Sequence, residues 1–246
     1  MSTLKTEQDL CSDANALSMG RARLVHERVY QVGGSSLSDP RDCMVYLLVT
    51  KDLDLVLIDC GAGPSFDAIV RTIEGSDLDP RSIKDLVLTH GHIDHIGAAS
   101  EFVKAYGCKV IAHEEDLDAI EGSNMLKTAA DWYSLDYRPV KVDDVIKKEE
   151  ETRTVGDLEL HFLHTPGHTP GSMVVYLNIG SKRILFGQDI HGPFDPSFES
   201  DIEKWRASMK KVLALKADIL CEGHFGIYYG KDKVEEFIQG HLDGMH

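Results

Sequence analysis

No stretch of the 246-residue sequence is apolar over the length that a membrane-spanning helix requires. The first 20 residues are polar and lack the apolar core of a signal peptide. The cysteines are few and scattered, with no paired spacing, which favours reduced thiols over a disulfide framework: Cys11, Cys43, Cys60, Cys108 and Cys221. These absences predict a cytoplasmic protein without a membrane partner.

Positive charge is also in short supply. The 26 lysines and arginines face 41 aspartates and glutamates, for a formal net charge of −15. The longest basic runs are the dipeptides Lys147-Lys148 and Lys210-Lys211. Because an acidic surface repels phosphate backbones, we expect no nucleic-acid partner and a small-molecule substrate instead. A homodimer is compatible with the sequence, which carries no signal that sets the oligomeric state.

Strand-like and helix-like segments alternate along the chain. Helical patterns such as residues 65–75, with Gly75 as the stop, separate the apolar runs that predict strands, namely 22–32, 43–50, 53–61, 158–165, 172–179 and 183–189. The charged stretch 147–153 is interpreted as a solvated turn. With no linker in view, the sequence predicts an α/β protein with one domain over residues 21–246, preceded by a flexible arm, residues 1–20.

The segment THGHIDH, residues 89–95, concentrates metal-binding side chains after an apolar strand. His90 and His92 lie two residues apart, so in an extended chain both imidazoles point to the same side. Asp94 and His95 follow where a helix starts and point another way, which leaves room for a second ion. A capped helix start with solvent-facing histidines is the alternative, but four such residues at this spacing argue against it.

Three later segments repeat one design, in which an apolar strand delivers a polar side chain at its end. HTPGHTPGS (164–172) carries His168 in a rigid turn, LFGQD (185–189) ends in Asp189, and LCEGH (220–224) ends in His224. Imidazoles together with carboxylates suit zinc, and also manganese or iron. The sequence therefore predicts two divalent metal ions, with zinc preferred.

HGHIDH and the later ligands, in this order, resemble the metallo-β-lactamase-fold superfamily of metal-dependent hydrolases. The resemblance spans roughly residues 22–240 and implies a four-layer αβ/βα sandwich. It implies a first metal at His90, His92 and His168, a second at Asp94, His95 and His224, and Asp189 as a bridge between them. It also implies that Asp59, after the strand LDLVLIDCG, holds a ligand imidazole by a hydrogen bond. The alternative for Asp59 is a turn carboxylate at a strand end.

The implied chemistry is hydrolysis by a hydroxide that two metals share, with Asp94 orienting the hydroxide or passing a proton to the leaving group. GxSxG is absent, and no other convincing serine or cysteine nucleophile is found. The turn HTPGHTPGS resembles the glyoxalase II-like branch, which favours an ester-like substrate: a thioester, a lactone or another carboxylic ester. The end of the chain is not clearly basic, unlike the substrate-binding tail of glyoxalase II.

Other activities of the superfamily remain open. A persulfide dioxygenase would use one iron and oxygen, a phosphodiesterase would act on small molecules, and a non-catalytic descendant would only bind metal. β-Lactam hydrolysis fits a chain without an export signal poorly, and a nuclease fits an acidic chain poorly. The flavodiiron enzymes replace one signature histidine by glutamate, whereas this sequence has His92.

The substrate-binding residues are less clearly marked. Tyr133, His191 and Tyr228 are interpreted as lining the pocket, and residues 123–153 and 191–200 are expected to flank it. Ordinary packing is the alternative for each of these aromatic side chains. The remaining strand histidines are expected at the core edge or on the surface: His113, His161 and His164.

Overall fold

The computed structural model describes residues 20–122 and 124–244, so the predicted arm lies outside the described residues apart from Gly20. Within these ranges, no helix is long and apolar enough to cross a bilayer. The strands of the first half are β1 (Arg23–His26), β2 (Val29–Gln31), β3 (Tyr46–Val49), β4 (Leu55–Ile58), β5 (Ile83–Val87), β6 (Lys109–His113) and β7 (Asp144–Ile146). Those of the second half are β8 (Glu150–Val155), β9 (Leu158–His164), β10 (Met173–Ile179), β11 (Lys182–Gln188), β12 (Ile219–Glu222) and β13 (Ile227–Tyr229).

The α-helices lie between these strands or follow them. They are α1 (Phe66–Glu74), α2 (Ile93–Ile96), α3 (Ala99–Tyr106), α4 (Leu117–Ile120), α5 (Ala130–Tyr133), α6 (Ile202–Ala214) and α7 (Lys231–Gly244). Short 3-10 turns add Pro80–Ser82, Glu114–Asp116, Met125–Thr128 and Pro196–Phe198. Helix α1 ends at Gly75 as predicted, and Asp201 caps the start of α6 by accepting a hydrogen bond from the Lys204 amide.

The strands form two sheets. Strands β1 to β7 lie side by side in chain order, and the second sheet has the order β13-β12-β11-β10-β9-β8. Strands β4, β5, β6 and β7 pair in parallel, as do β11 and β12, while the other pairs are antiparallel. Because parallel strands end at the same edge, the residues after β4, β5 and β6 meet at one edge of the first sheet.

Three clusters of buried apolar side chains hold the sheets and helices together. Side chains of both sheets, such as Leu48 and Phe186, pack between the sheets. Ile69 of α1 joins a cluster on the outer face of the first sheet, and Trp205 of α6 joins one on the outer face of the second. In β3, Leu47 and Leu48 enter different clusters because successive side chains point to opposite faces. The helix, sheet, sheet and helix layers confirm the predicted four-layer αβ/βα sandwich.

The prediction of a solvated turn at 147–153 is wrong for residues 150–153, because they belong to β8, Glu150–Val155. This strand pairs antiparallel with β9, with Glu151 opposite Phe162, and lies at the edge of the second sheet. Charged side chains suit an edge strand because they discourage pairing with another chain. The run 22–32 likewise folds as two antiparallel strands, β1 and β2, rather than as one.

All four cysteines in the described part of the chain are buried free thiols: Cys43, Cys60, Cys108 and Cys221. Burial raises the pKa of each thiol. They therefore behave as small apolar side chains within the core.

Two histidines bridge the sheets near the edge where the strands end. The rings of His113, at the end of β6, and His164, at the end of β9, stack with centroids 3.7 Å apart. The His113 Nδ1 atom accepts a hydrogen bond from the Glu115 amide, and its buried Nε2 atom has no partner. Burial, followed by the neighbouring His164, lowers the pKa of His113 to about 4.

This burial makes the stability of the fold depend on pH. An unfolded histidine takes up its proton near pH 6.5, whereas folded His113 does so only near pH 4. The unfolded state therefore binds more protons between these values, and the free energy of unfolding falls as the pH drops from 6.5 to 4. His113→Asn keeps an acceptor for the Glu115 amide, and we expect it to remove on the order of 1–3 kcal/mol of that fall. Urea denaturation of the original protein and of His113→Asn at pH 7 and pH 4.5 measures this difference. An equal fall in the free energy of unfolding in both proteins would contradict the low pKa of folded His113.

Candidate metal centre

The segment 89–95 turns from β5 into α2 at the centre of the site. His92 is still extended, with φ −80° and ψ 147°, and the helix begins at the next residue. His90 and His92 therefore leave the chain before the helix, while Asp94 and His95 belong to its first turn. The second sheet supplies the turn between β9 and β10 with His168, the end of β11 with Asp189 and the end of β12 with His224.

The side chains form two groups that share Asp189. The ligand atoms of one group lie within 4.8 Å of one another, and so do those of the other; the groups are His90, His92, His168, Asp189 and Asp94, His95, His224, Asp189. Asp189 Oδ2 lies 3.6 Å from His168 Nε2, whereas Asp189 Oδ1 lies 3.1 Å from His95 Nε2 and 3.3 Å from His224 Nε2. One carboxylate thus turns a different oxygen to each group.

The chemistry of these atoms fits metal ions. Several buried atoms of the two groups have no hydrogen-bond partner, namely His90 Nε2, His95 Nε2, Asp94 Oδ2 and Asp189 Oδ1, while His92 turns its Nδ1 atom to His168 Nε2 at 2.9 Å. Unpaired buried polar atoms are costly, and so many of them in one place call for a ligand that satisfies them all. Nitrogen and carboxylate oxygen donors in groups of four are typical of zinc and of related divalent ions.

The outer nitrogens of two histidines in the groups donate hydrogen bonds to protein oxygens. His168 donates its Nδ1 proton to the carbonyl of Pro193 at 2.7 Å, which leaves Nε2 unprotonated. His95 donates its Nδ1 proton to Asp59 Oδ2 at 2.8 Å. Metal-binding histidines are usually held in this way, with the outer nitrogen donating and the inner one free.

Burial keeps the first group neutral. It lowers the pKa of His92 and of His168 to about 3, and that of His90 well below its ordinary value. These imidazoles are therefore unprotonated at neutral pH, which is the form that binds a metal. In the second group burial also opposes the charged form, but the carboxylate of Asp189 outweighs it and raises the pKa of His224 to about 10.

Asp59 joins the ends of β4 and β5 beneath the site. Its Oδ1 accepts the Thr89 amide at 2.8 Å, and its Oδ2 accepts the Thr89 hydroxyl at 2.8 Å as well as the His95 ring. The Thr89 hydroxyl also lies 3.3 Å from His90 Nδ1. Asp59 thus orients His95 directly and His90 through Thr89.

Asp116 ties the two ligand-bearing turns to each other. This buried carboxylate accepts hydrogen bonds from the Gly91 amide at 2.9 Å, the Gly171 amide at 2.7 Å and the Thr169 hydroxyl at 2.7 Å. Gly91 separates His90 from His92, and the other two donors follow His168. A Cβ atom at Gly171 would lie 2.6 Å from Asp116, so glycine is required for this close approach.

Glu222 holds the last turn of the site. Its carboxylate is fully buried and accepts the His191 ring and the amides of His224 and Phe225, each at 2.6 Å. The ring of His191 also lies against that of Phe225, with centroids 4.6 Å apart. Glu222 therefore fixes the backbone at His224 and the orientation of His191.

The three residues interpreted as pocket-lining take different positions. Tyr133 lies beside Asp94, and burial, followed by the charge of that carboxylate, raises the pKa of its phenol. His191 lies next to His224, with ring centroids 5.5 Å apart. Tyr228 packs against Phe237 of α7, with centroids 4.3 Å apart, and its hydroxyl donates to the Phe225 carbonyl. The structure thus brings two of the three against the ligand groups.

The sequence interpretation missed Asp116, Glu222 and Phe225. Asp116 lies among neighbouring acidic residues, Glu114, Glu115 and Asp118, so nothing in the sequence distinguishes it from ordinary surface carboxylates. Glu222 lies two residues before His224 and Phe225 directly after it, and this closeness to a candidate ligand is the signal in the sequence that could have drawn attention to them.

Fold and site together define a metal-binding αβ/βα protein, and comparisons with known proteins identify its family. The model of the Metallo-beta-lactamase superfamily matches residues 38–224. The chain belongs to this superfamily. Because the matched range includes both ligand groups, the family assignment covers the site as well as most of the strands.

Relatives cover most of the chain. Probable metallo-hydrolase YybB of Bacillus subtilis (strain 168) is 28% identical over 229 residues, 90% of this chain and 99% of that protein. Probable metallo-hydrolase YflN of the same organism is 25% identical over 216 residues, 72% of this chain and 77% of that protein. The class B3 di-zinc metallo-β-lactamase LRA-12 from an Alaskan soil metagenome superposes with a TM-score of 0.75, 22% identity and coverage of 100% and 97%. At this identity, the likeness to LRA-12 concerns the fold.

Asp59→Asn tests the support of His95. Asparagine tolerates the left-handed backbone at this position, where φ is 59°, but it weakens the acceptor for the His95 ring. We expect about 10- to 100-fold weaker zinc binding with the fold retained. Competition with a chromophoric chelator measures the affinity, and circular dichroism checks the fold. Asp52→Asn, an exposed residue before β4, is the control for the lost charge. Equal zinc affinities of the two variants would exclude this role for Asp59.

Proposed function

We propose that the protein is a metal-dependent hydrolase that cleaves an ester-like bond in a small molecule: a thioester, a lactone or another carboxylic ester. In this proposal His90, His92 and His168 would hold one ion, Asp94, His95 and His224 would hold the other, and Asp189 would contribute to both. Zinc is the proposed metal, with manganese or iron as alternatives.

The position of Asp189 carries the proposal. A carboxylate that turns one oxygen to His168 and the other to His95 and His224 is placed to join two ions rather than to hold one. Two divalent ions so joined would supply Lewis acidity, which lowers the pKa of water toward neutrality and stabilises charge on a carbonyl oxygen. The membership in the superfamily and the relatives named as metallo-hydrolases support the same reaction class.

The chain's own groups then have distinct tasks. Asp94 Oδ2 has no hydrogen-bond partner and lies 3.1 Å from His224 Nε2, at the junction of the second group with Tyr133. From there it can orient an attacking water molecule and pass a proton to the leaving group. The Tyr133 phenol stays protonated at neutral pH and can donate a hydrogen bond to the substrate.

A nucleophile supplied by the chain is disfavoured. The thiol of Cys43 lies with Asp59 and His95 but is fully buried. Burial raises the pKa of its thiol, so the reactive thiolate is not formed at neutral pH. Water is therefore the proposed nucleophile.

Removal of ligands tests the metal assignment. Protein purified without added metal or chelator is expected to contain about two zinc or manganese ions per chain. His90→Ala and Asp189→Ala are each expected to lose bound metal and at least about a hundredfold of activity together, because a lost ligand exceeds the effect of a lost supporting residue. Elemental analysis and rates on a panel of thioesters and lactones measure both effects. His26→Ala, a half-buried histidine of β1 outside both groups, is the matched control.

The same measurements separate the competing activities. Full turnover by metal-free Asp189→Ala would contradict the mechanism. About one iron per chain, with oxygen uptake on glutathione persulfide, would replace the hydrolase by a dioxygenase. Turnover of bis-p-nitrophenyl phosphate without turnover of any thioester or lactone would replace it by a phosphodiesterase.

A further inference from the structure

Aromatic side chains lie beside the ligand histidines on two sides of the site. On one side the buried ring of Phe198 lies against His92, with centroids 4.3 Å apart, and Trp132 packs on Phe198 at 4.8 Å. On the other side Phe225 lies against His191, beside His224. Trp132 and Phe225 are 58% and 59% exposed, so each offers a free apolar face next to the site.

We call the pair Trp132 and Phe198 the first wall of the site, and Phe225 with His191 the second. A buried lysine, Lys127, lies at the base of the first wall. Lys127 is only 8% exposed, and its ammonium bonds to Asp118 at 2.8 Å and to Glu199 at 2.7 Å. These contacts tie the segment before α5, which carries Trp132, to the residue that follows Phe198. The ion pair of Lys127 with Glu199 thus joins the segment that carries Trp132 to the segment that carries Phe198.

The walls offer no lysine or arginine to an anionic substrate. Residues 130–133, 196–198 and 223–226 contain neither lysine nor arginine, and α5 adds the exposed carboxylate of Asp131. Lys127 is already paired with two carboxylates. Glutathione carboxylates and phosphate groups are normally met by arginine or lysine, so these walls suit an uncharged molecule.

We propose that the site takes neutral acyl substrates and that their hydrocarbon chain lies against Trp132, with Phe198 as the buried support. This inference rests on the hydrolase activity proposed above and narrows its substrate class. It favours lactones and neutral thioesters with an alkyl chain over glutathione thioesters. Burial of each methylene against the ring contributes to binding, so affinity rises with chain length.

Thioesters of N-acetylcysteamine and of glutathione offer a matched comparison, since both present the same scissile bond and differ in charge. With zinc-loaded protein, we expect KM for the neutral series from acetyl to octanoyl to fall about two- to fourfold per added methylene. The glutathione thioester of the same acyl group is expected to have at least about a tenfold lower kcat/KM. A flat chain-length series, or preference for the glutathione thioesters, would overturn the inference while leaving the hydrolase in place.

Single substitutions test whether Trp132 is the surface that gives KM its dependence on chain length. Trp132→Ala is expected to flatten the chain-length dependence of KM, and Trp132→Phe to restore most of it because the ring is retained. Leu53→Ala is the control: Leu53 is 64% exposed but lies in the turn before β4, at the opposite end of that strand from Asp59. An unchanged chain-length dependence in Trp132→Ala would exclude this wall as the binding surface.

Binding can be measured without turnover. Octanamide is uncharged and carries the same alkyl chain, and we expect it to shift the fluorescence of Trp132 saturably, whereas acetamide does not. Buried Trp205, the other tryptophan, supplies a constant signal that remains in Trp132→Phe. Saturable octanamide binding by a protein that hydrolyses no ester, thioester or lactone would support the apolar subsite and refute the proposed activity. The absence of any octanamide effect would refute the subsite.

Discussion

The site depends on one buried carboxylate placed between two sets of imidazoles. Asp189 lies 3.1 to 3.6 Å from three histidine nitrogens. Burial alone would favour its neutral form, but the neighbouring His224 and His95 outweigh burial and hold the pKa of Asp189 well below its usual range. A charged group can stay buried only where opposite charge or metal compensates the lost hydration. The position of this carboxylate therefore requires that strand ends of both sheets meet at one edge.

Three further buried carboxylates keep those strand ends together. Asp59 joins β4 to β5, Asp116 joins the turn at Gly91 to the turn after His168, and Glu222 fixes the turn that carries His224. Each accepts hydrogen bonds from backbone amides, which sets the position of the chain itself and not only of one side chain. The ligand geometry is thus built into the backbone before any ion binds, which reduces the cost of ordering the site.

Around this rigid centre the rim of the site is apolar. Trp132, Phe198 and Phe225 lie beside the ligand histidines on two sides of the site, and the one lysine at the base of the first wall is fully engaged by carboxylates. In the proposed function, the ligands set the reaction class and the rim sets the selectivity for the substrate. Relatives that share the ligands and differ at the rim can therefore act on different substrates.

Local patterns in the sequence predicted an α/β protein with metal-binding residues at strand ends, and the resemblance to the superfamily added the four-layer sandwich and the seven proposed ligands. The patterns themselves are local: an alternation of strand-like and helix-like segments, two histidines at spacing two, and a polar residue where an apolar strand ends. Apart from Asp59, Tyr133 and His191, which the sequence also suggested, only the tertiary structure decided which groups support and surround the ligands. Asp116 reaches partners 25 and 55 residues away, and Lys127 reaches Glu199 across 72 residues. The charged segment 147–153 was mistaken for a turn because only pairing with β9 makes Glu150–Val155 a strand. Such contacts follow from the packing of distant segments, which leaves no pattern in the neighbouring residues.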